Sequence, residues 1–321
     1  MKALVTGGAG YIGSHMVRTL LEANHEVTVL DDLSTGYRDA VPASIPFIEG
    51  DISDSAKMRV ILAGGHFDAV FHFAAKIRVE ESVSDPRRYY RGNLVASLRL
   101  IDAVLDAKVP SFVLSSTAAV YGTPDVVPIP EDHPTQPVNP YGATKLAVER
   151  ALHAYGLAYG LKWAALRYFN AAGAYPEAGL GERHDPETHL LPIVLDVARG
   201  KRPSISIYGT NWPTPDGTCV RDYIHVRDLC DAHLVAAGYL ANGGESGAFN
   251  LGTGQGHSVR EVIDTARRIT GRDIATVMAG ERAGDPAALV ANVDRAEKVL
   301  GWKARRPSLD GIVADAWAFM Q

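Results

Sequence analysis

Along the first half of the chain, short apolar runs alternate with longer stretches in which apolar residues recur every three or four positions. The runs at 2–6, 26–31, 46–49, 69–73, 111–116 and 162–167 predict strands, and the periodic stretches at 11–23, 55–62, 87–107 and 141–159 predict helices between them. The strands are apolar on both faces, as strands are when helices cover a parallel sheet on two sides. The pattern therefore predicts an α/β fold with a doubly wound parallel sheet. After Phe169 the rhythm changes. Glycine, proline and polar residues gather at 171–187 and 209–217, and helical periodicity returns at 190–199, 227–240, 258–270 and 308–319. This half reads as a smaller C-terminal α/β lobe whose loops close over a ligand. The expected division is 1–170 and 171–321, with some later segments returning to the first lobe.

Composition then narrows the function classes. Of 321 residues, 46% are apolar and 21% charged, ordinary for a globular chain with a large core. The net charge of −5 offers no basic excess for nucleic acid or an anionic membrane, so a basic residue that holds an anionic ligand must be placed singly. Glycines stop the first apolar run, and no run approaches roughly 18 residues, so neither a signal peptide nor a membrane span is expected. Cys219 and Cys230 are too few for a disulfide framework and point to a reducing cytoplasm. The segment His184-Asp185-Pro186-Glu187-Thr188-His189 concentrates possible ligands, but Pro186 excludes a helical zinc motif. It reads as a polar loop, and no metal is expected. His72 and His225 lie in apolar runs and read as core histidines.

The first strand runs directly into Gly7-Gly8-Ala9-Gly10-Tyr11-Ile12-Gly13. Glycines between a strand and a helix allow a tight turn, let the backbone approach a pyrophosphate, and let helix and strand pack closely, while the helix amides face the anion. Asp31 ends the second strand, where a carboxylate accepts hydrogen bonds from adenosine ribose hydroxyls and repels a 2′-phosphate. Together these predict a Rossmann domain at 1–170 that binds NAD rather than NADP. Asp51 and Ile52, after the third strand, are placed to frame an adenine.

At the other end of the expected cofactor, the fifth strand finishes in Ser115-Ser116-Thr117. In a doubly wound sheet the carboxyl ends of the strands face the ligand. Asn139 and Pro140 suit the N-cap and first position of the next helix, which puts Tyr141 and Lys145 on one helical face.

Gly7, Gly10 and Gly13, Asp31, the Ser115-Ser116-Thr117 strand end and Tyr141-x-x-x-Lys145 together resemble the extended short-chain dehydrogenase/reductase family. The segments 166–170, 217–226 and 250–252 are similar to those of its UDP-hexose 4-epimerase branch. That resemblance spans nearly the whole chain. It implies an NAD-dependent isomerase that inverts C4 of UDP-glucose or UDP-galactose through a transient 4-keto sugar and tightly bound NADH, with 171–321 holding the nucleotide sugar. Catalysis would rest on Thr117, Tyr141 and Lys145. The cofactor would meet Gly7, Gly10, Tyr11, Ile12, Gly13, Asp31, Asp51, Ile52, Phe73, Ala74, Ala75, Asn93, Ser115, Tyr141, Lys145 and Tyr168. The substrate would meet Thr117, Asn170, His189, Leu190, Tyr208, Arg221, Arg282, Asp285 and Leu289.

The chemistry sets a requirement. A phenol has a pKa of about 10 and a base for a sugar hydroxyl works nearer 7, so about 4 kcal/mol of selective phenolate stabilisation is needed. Lys145 and the positive nicotinamide are the expected sources. Sugar-nucleotide dehydratases carry acids just after the active-site threonine. Here Ala118 and Ala119 stand there and move no proton, which argues for epimerisation. A family lysine at the nicotinamide ribose falls on Ile77, leaving Lys76 or Arg78 to substitute. A family asparagine near the uracil falls on His189. Leu289 replaces a bulky tyrosine, so UDP-N-acetylhexosamines are expected to fit. The apolar stripes at 94–104 and 146–159 suit packing onto the sheet, and the family resemblance implies that these helices also pair in the four-helix bundle of a homodimer. The alternatives are a C4 epimerase for a UDP-pentose or uronate, and a non-catalytic NAD-binding regulator.

Overall fold

The computed structural model describes residues 1–282 and 285–321. Its first strands are β1 (Lys2–Thr6), β2 (Glu26–Asp31), β3 (Phe47–Glu49), β4 (Ala69–His72), β5 (Ser111–Ser115) and β6 (Lys162–Tyr168). They continue with β7 (Asn170–Ala172), β8 (Ile205–Tyr208), β9 (Val220–His225), β10 (Gly247–Leu251), β11 (Gly256–Ser258), β12 (Thr276–Ala279) and β13 (Ala288–Leu289). The helices are α1 (Tyr11–Glu22), α2 (Ser55–Gly65), α3 (Val79–Ser84), α4 (Pro86–Tyr89), α5 (Ala96–Asp106), α6 (Pro140–Tyr159), α7 (Leu190–Ala198), α8 (Val226–Ala241), α9 (Val259–Thr270) and α10 (Leu309–Met320).

Seven strands form one parallel sheet in the order β10-β6-β5-β4-β1-β2-β3. The direction of strand addition reverses between β1 and β4, which opens a crevice at their carboxyl ends. Successive residues of a strand serve opposite cores. Val5, Phe71 and Val113 pack against Met16, Val17 and Leu20 of α1 and Leu229 and Ala236 of α8. Leu4, Val70, Phe112 and Leu114 pack against Met58 of α2, Leu100 and Val104 of α5, and Val148 and Leu152 of α6. Burial on both faces is why these strands read as unbroken apolar runs.

The smaller lobe has its own core of Leu191, Val194, Ile207, Tyr223, Val262, Ile263, Ile312 and Val313. Its strands make a sheet of β11-β9-β13 with β7 beside β9, and a separate β12-β8 pair. A division at residue 170 is crossed by later chain. Strand β10 lies parallel to β6 in the large sheet, and Ala296, Leu300 and Trp302 join the core under α1 and α8. Among the described residues no helix is long and apolar enough to cross a membrane.

The helix expected at 87–107 is broken. A π turn, Tyr90–Val95, separates α4 from α5, and α3 precedes them. The cause is a polar demand within the core. Buried Asn93 turns inward and clips the backbone of Lys76, accepting from its N–H at 2.8 Å and donating to its carbonyl at 2.9 Å. A single-turn π bulge at a functional site is the usual setting for such a register change.

Candidate active site

Backbone geometry shapes the cofactor cradle. Gly7 has φ 74°, and a Cβ there would lie 2.5 Å from the Ala74 nitrogen. A Cβ on Gly13 would lie 2.0 Å from the Gly7 carbonyl oxygen, so turn and helix can approach only without side chains. On Gly10 the same atom would meet nothing nearer than 3.4 Å, which leaves that side open to a ligand. Gly10 caps α1 with no side-chain acceptor, so the first helical amides, at Tyr11 and Ile12, remain available to an anion. Both oxygens of buried Asp31 hold the rim, accepting from Ala9 N–H at 2.9 Å and Leu33 N–H at 2.8 Å. Burial pushes this carboxyl up, opposed by those same bonds. Asp51 is exposed and accepts from Ser53 N–H at 2.7 Å, while the neighbouring Ile52 is buried. Phe73, Ala74 and Ala75 run along the crevice from β4, with the Phe73 ring 4.8 Å from that of His233. The cradle fits a dinucleotide.

The reactive residues converge at the end of β5. Asn139 accepts from Gly142 N–H at 2.8 Å, Pro140 occupies the first turn, and Gly160 at φ 75° ends α6. That start places Tyr141 beside Thr117, whose hydroxyl bears on the charge of the phenol. Burial pushes the phenol up to about 12, against the pull of Thr117. Lys145 donates to the Ser115 carbonyl at 2.8 Å. The Ser115 hydroxyl bonds the Tyr168 hydroxyl at 2.8 Å.

The protein groups that bear on Tyr141 are burial and Thr117, and the Lys145 ammonium is directed to a backbone carbonyl. Burial lowers Lys145 to about 8, with Glu149 opposing it. Asn93, expected at the nicotinamide, has its amide engaged by the backbone of Lys76. Ile77 is exposed. Lys76 runs past Gly92, where a Cβ would lie 3.1 Å from its Cε, whereas Arg78 donates to the Asp185 carbonyl at 2.9 Å.

Sequence reasoning missed the layer beneath. Glu149 lies one more turn along α6, completing Tyr141, Lys145, Glu149 at intervals of four. It accepts from Ser116 Oγ at 2.5 Å and from Arg167 Nη2 at 2.6 Å. Arg167 donates to the Tyr121 hydroxyl at 3.0 Å, and Tyr121 donates to Asn250 at 2.7 Å. This buried chain of polar groups ties the helix that carries the base to β5, β6 and β10. The 250–252 segment has a second role: Asp222 accepts from Thr253 and Gly254 N–H, and a Cβ on Gly252 would lie 2.3 Å from its carboxylate.

On the opposite wall, the Arg282 guanidinium stacks 3.8 Å from the centre of the Tyr208 ring. Arg221 and Asp285 both act on the charge of the Cys219 thiol, which burial raises, so the three share one neighbourhood. Leu289 packs with Ala118, Val120 and Leu146. Asn170 opens β7 and pairs with Tyr223. Leu190 begins α7, and His189 caps it with its ring turned to the Glu182 carboxylate at 2.7 Å.

The NAD dependent epimerase/dehydratase family matches residues 3–252, which include the glycine cradle, Asp31, Thr117, Tyr141 and Lys145. The chain belongs to this family. The chain is 50% identical over 319 residues to a UDP-glucose 4-epimerase of Corynebacterium glutamicum, covering 99% of this chain and 95% of the other. A crystal structure of UDP-glucose 4-epimerase from Brucella ovis in complex with NAD superposes with a TM-score of 0.96 at 45% identity, covering 98% of this chain and 97% of that one. A UDP-glucose 4-epimerase from Bifidobacterium longum, in complex with NAD+ and UDP, superposes at 0.93 with 37% identity, covering 100% and 98%. The family match ends at residue 252, so the wall built from Tyr208 and Arg221 lies within it, and that built from Arg282, Asp285 and Leu289 lies beyond it.

Proposed function

We propose that this chain is an isomerase that inverts C4 of a UDP-hexose, interconverting UDP-glucose and UDP-galactose with NAD held throughout. The arrangement of Tyr141 on Thr117, at the carboxyl end of β5 and beside the glycine cradle, carries this reading. Bound NAD supplies the acceptor and donor of the C4 hydride. Everything else is the work of the chain. Gly10, Tyr11 and Ile12 offer backbone amides to the pyrophosphate, and Asp31 meets the adenosine ribose. Lys145 and Ser115 orient the nicotinamide ribose end. Tyr141 takes the proton from the sugar 4-hydroxyl and returns it, while Thr117 fixes the same oxygen. Arg221 and Arg282 hold the diphosphate, Tyr208 stacks near the uracil, and Asp285 accepts from the uridine ribose. The diphosphate stays anchored while the oxidised ring turns to offer its other face. Ala118 and Ala119 provide no acid for dehydration.

Incubating the purified protein with UDP-galactose, without added NAD, tests this directly. UDP-glucose should form, and absorbance near 340 nm should rise by far less than the product made. Substrate that stays unchanged in the presence of added NAD as well would remove the reading.

Leu289 packs against the cluster that holds Ala118, the residue after Thr117, and a leucine fills less space there than a tyrosine. UDP-GlcNAc should therefore turn over within about tenfold of UDP-glucose, since the fit of a small group in a pocket is worth about 1–3 kcal/mol. Leu289→Tyr should depress UDP-GlcNAc turnover at least tenfold while sparing UDP-glucose, as steady-state rates on both will show.

The exposed Val95 of the π turn, together with Leu157 and Tyr159 of α6, leaves apolar surface on these neighbouring helices. A groove lined by Pro137, Ala143, Leu146 and Ala147 adds to it. A second copy of the chain is the occupant we expect. Light scattering should give twice the 34.4 kDa chain mass. Both cysteines are free and buried, consistent with a cytoplasmic setting.

A further inference from the structure

Four side chains of the segment 182–189 converge on one point, and His189, expected near the uracil, is one of them. Glu182, His184, Glu187 and His189 each offer one ligand atom, and these atoms lie within 4.8 Å of one another. The Glu182 oxygen Oε1 is 3.0 Å from His184 Nδ1 and 2.7 Å from His189 Nδ1. Glu187 presents its two oxygens to the same two nitrogens, at 3.2 Å from His189 and 3.7 Å from His184. A tetrahedral ion with ligands at about 2.0–2.1 Å separates those ligands by about 3.3 Å, so four atoms within 4.8 Å of one another need only small side-chain adjustments to surround one.

Charge and support agree with the geometry. The two glutamate side chains are only 7% and 9% exposed, so their negative charges need compensation within the cluster. The two carboxylates carry two negative charges, and a divalent ion neutralises both at one point. An outer layer fixes the ligands. Glu187 Oε1 accepts from the N–H groups of Thr188 at 2.7 Å and His189 at 2.8 Å. The Tyr11 ring packs edge-on to His184 at 6.3 Å, and its hydroxyl donates to the Gly173 carbonyl at 2.7 Å. Ligands oriented in this way by neighbouring groups are a regular feature of metal centres.

We propose that Glu182, His184, Glu187 and His189 bind a zinc ion. Imidazole nitrogens paired with carboxylates in a tetrahedral arrangement select zinc over magnesium or calcium. Four protein ligands leave no open position, so the ion is structural. It staples the 182–189 loop against Tyr11, at the rim of the cofactor cradle, and sets the start of α7 at Leu190. The reading of 184–189 as a polar loop lacked Glu182, the ligand that completes the set.

The test uses the full chain, stripped with a chelator, incubated with excess zinc or cobalt(II), and desalted. Elemental analysis should find about one zinc per chain, and the cobalt form should show the intense visible bands of tetrahedral coordination. Zinc should also raise the melting temperature by a few degrees. The double variant His184→Asn with Glu187→Gln should retain less than about a tenth of the metal. Zinc below about a tenth per chain in the unaltered protein would overturn the proposal, as would a cobalt form without tetrahedral bands. Equal metal in a folded double variant would do the same. None of these measurements depends on epimerase turnover, so the metal site and the proposed reaction stand or fall separately.

Discussion

Tyr141→Phe should lower kcat by about 10²- to 10⁴-fold, the usual contribution of a positioned general base, while leaving NAD content and melting temperature close to the parent. The substitution removes one oxygen from a buried ring beside Thr117 and nearly keeps the volume. The protein alone holds the phenol up at about 12. Bringing it to neutrality takes about 7 kcal/mol of preferential phenolate stabilisation, at about 1.4 kcal/mol per pH unit. That exceeds the roughly 4 kcal/mol inferred for an unburied phenol, and Lys145 commits one of its donors to the Ser115 carbonyl. The nicotinium charge and the substrate must therefore carry most of it, so Tyr141 becomes a base only in the assembled complex. Rates of UDP-galactose conversion, with bound NAD quantified after denaturation, will check this. A loss smaller than about fivefold would show that another group moves the proton.

Arg167→Leu should destabilise the protein by about 3–5 kcal/mol, because removing one partner of a buried ion pair strands the other. Arg167 and Glu149 are 8% and 4% exposed and meet at 2.6 Å. The double variant Glu149→Leu with Arg167→Leu should recover much of that stability, since a buried pair can often be replaced by apolar side chains. It should not recover activity. Glu149 is the group that opposes the effect of burial on Lys145, and without it the lysine falls further below about 8 and loses its charge near neutrality. Denaturant midpoints together with kcat separate the two effects. A single variant within about 1 kcal/mol of the parent would show that water reaches Glu149.

What the sequence made legible was local. Asn139, Pro140 and Gly160 mark both ends of α6 through backbone conformation, and the spacing from Gly7 to Gly13 by itself announces a close approach of strand and helix. Alternate residues of β1 and β5 enter two cores, which the unbroken apolar runs anticipated. What stayed hidden joins distant positions. Tyr121 meets Asn250, and Arg282 stacks on Tyr208, through contacts that no periodicity encodes. The π turn arises because Asn93 must satisfy the backbone of Lys76, a polar requirement rather than an apolar pattern. Glu149 was visible in principle, two helical turns after Tyr141, but a glutamate at that spacing looks identical to a solvated one until Arg167 is placed beside it.

The seventh strand of the large sheet is made late. Gly247–Leu251 closes beside Lys162–Tyr168 only after the intervening chain has been synthesised. At about 5–20 residues per second, translation from Tyr168 to Gly247 takes about 4–16 s, and during that interval the flank of β6 is an open row of hydrogen-bonding groups. A nascent chain in this state exposes a sticky border on the ribosome, and the product of an early stop in that interval retains it.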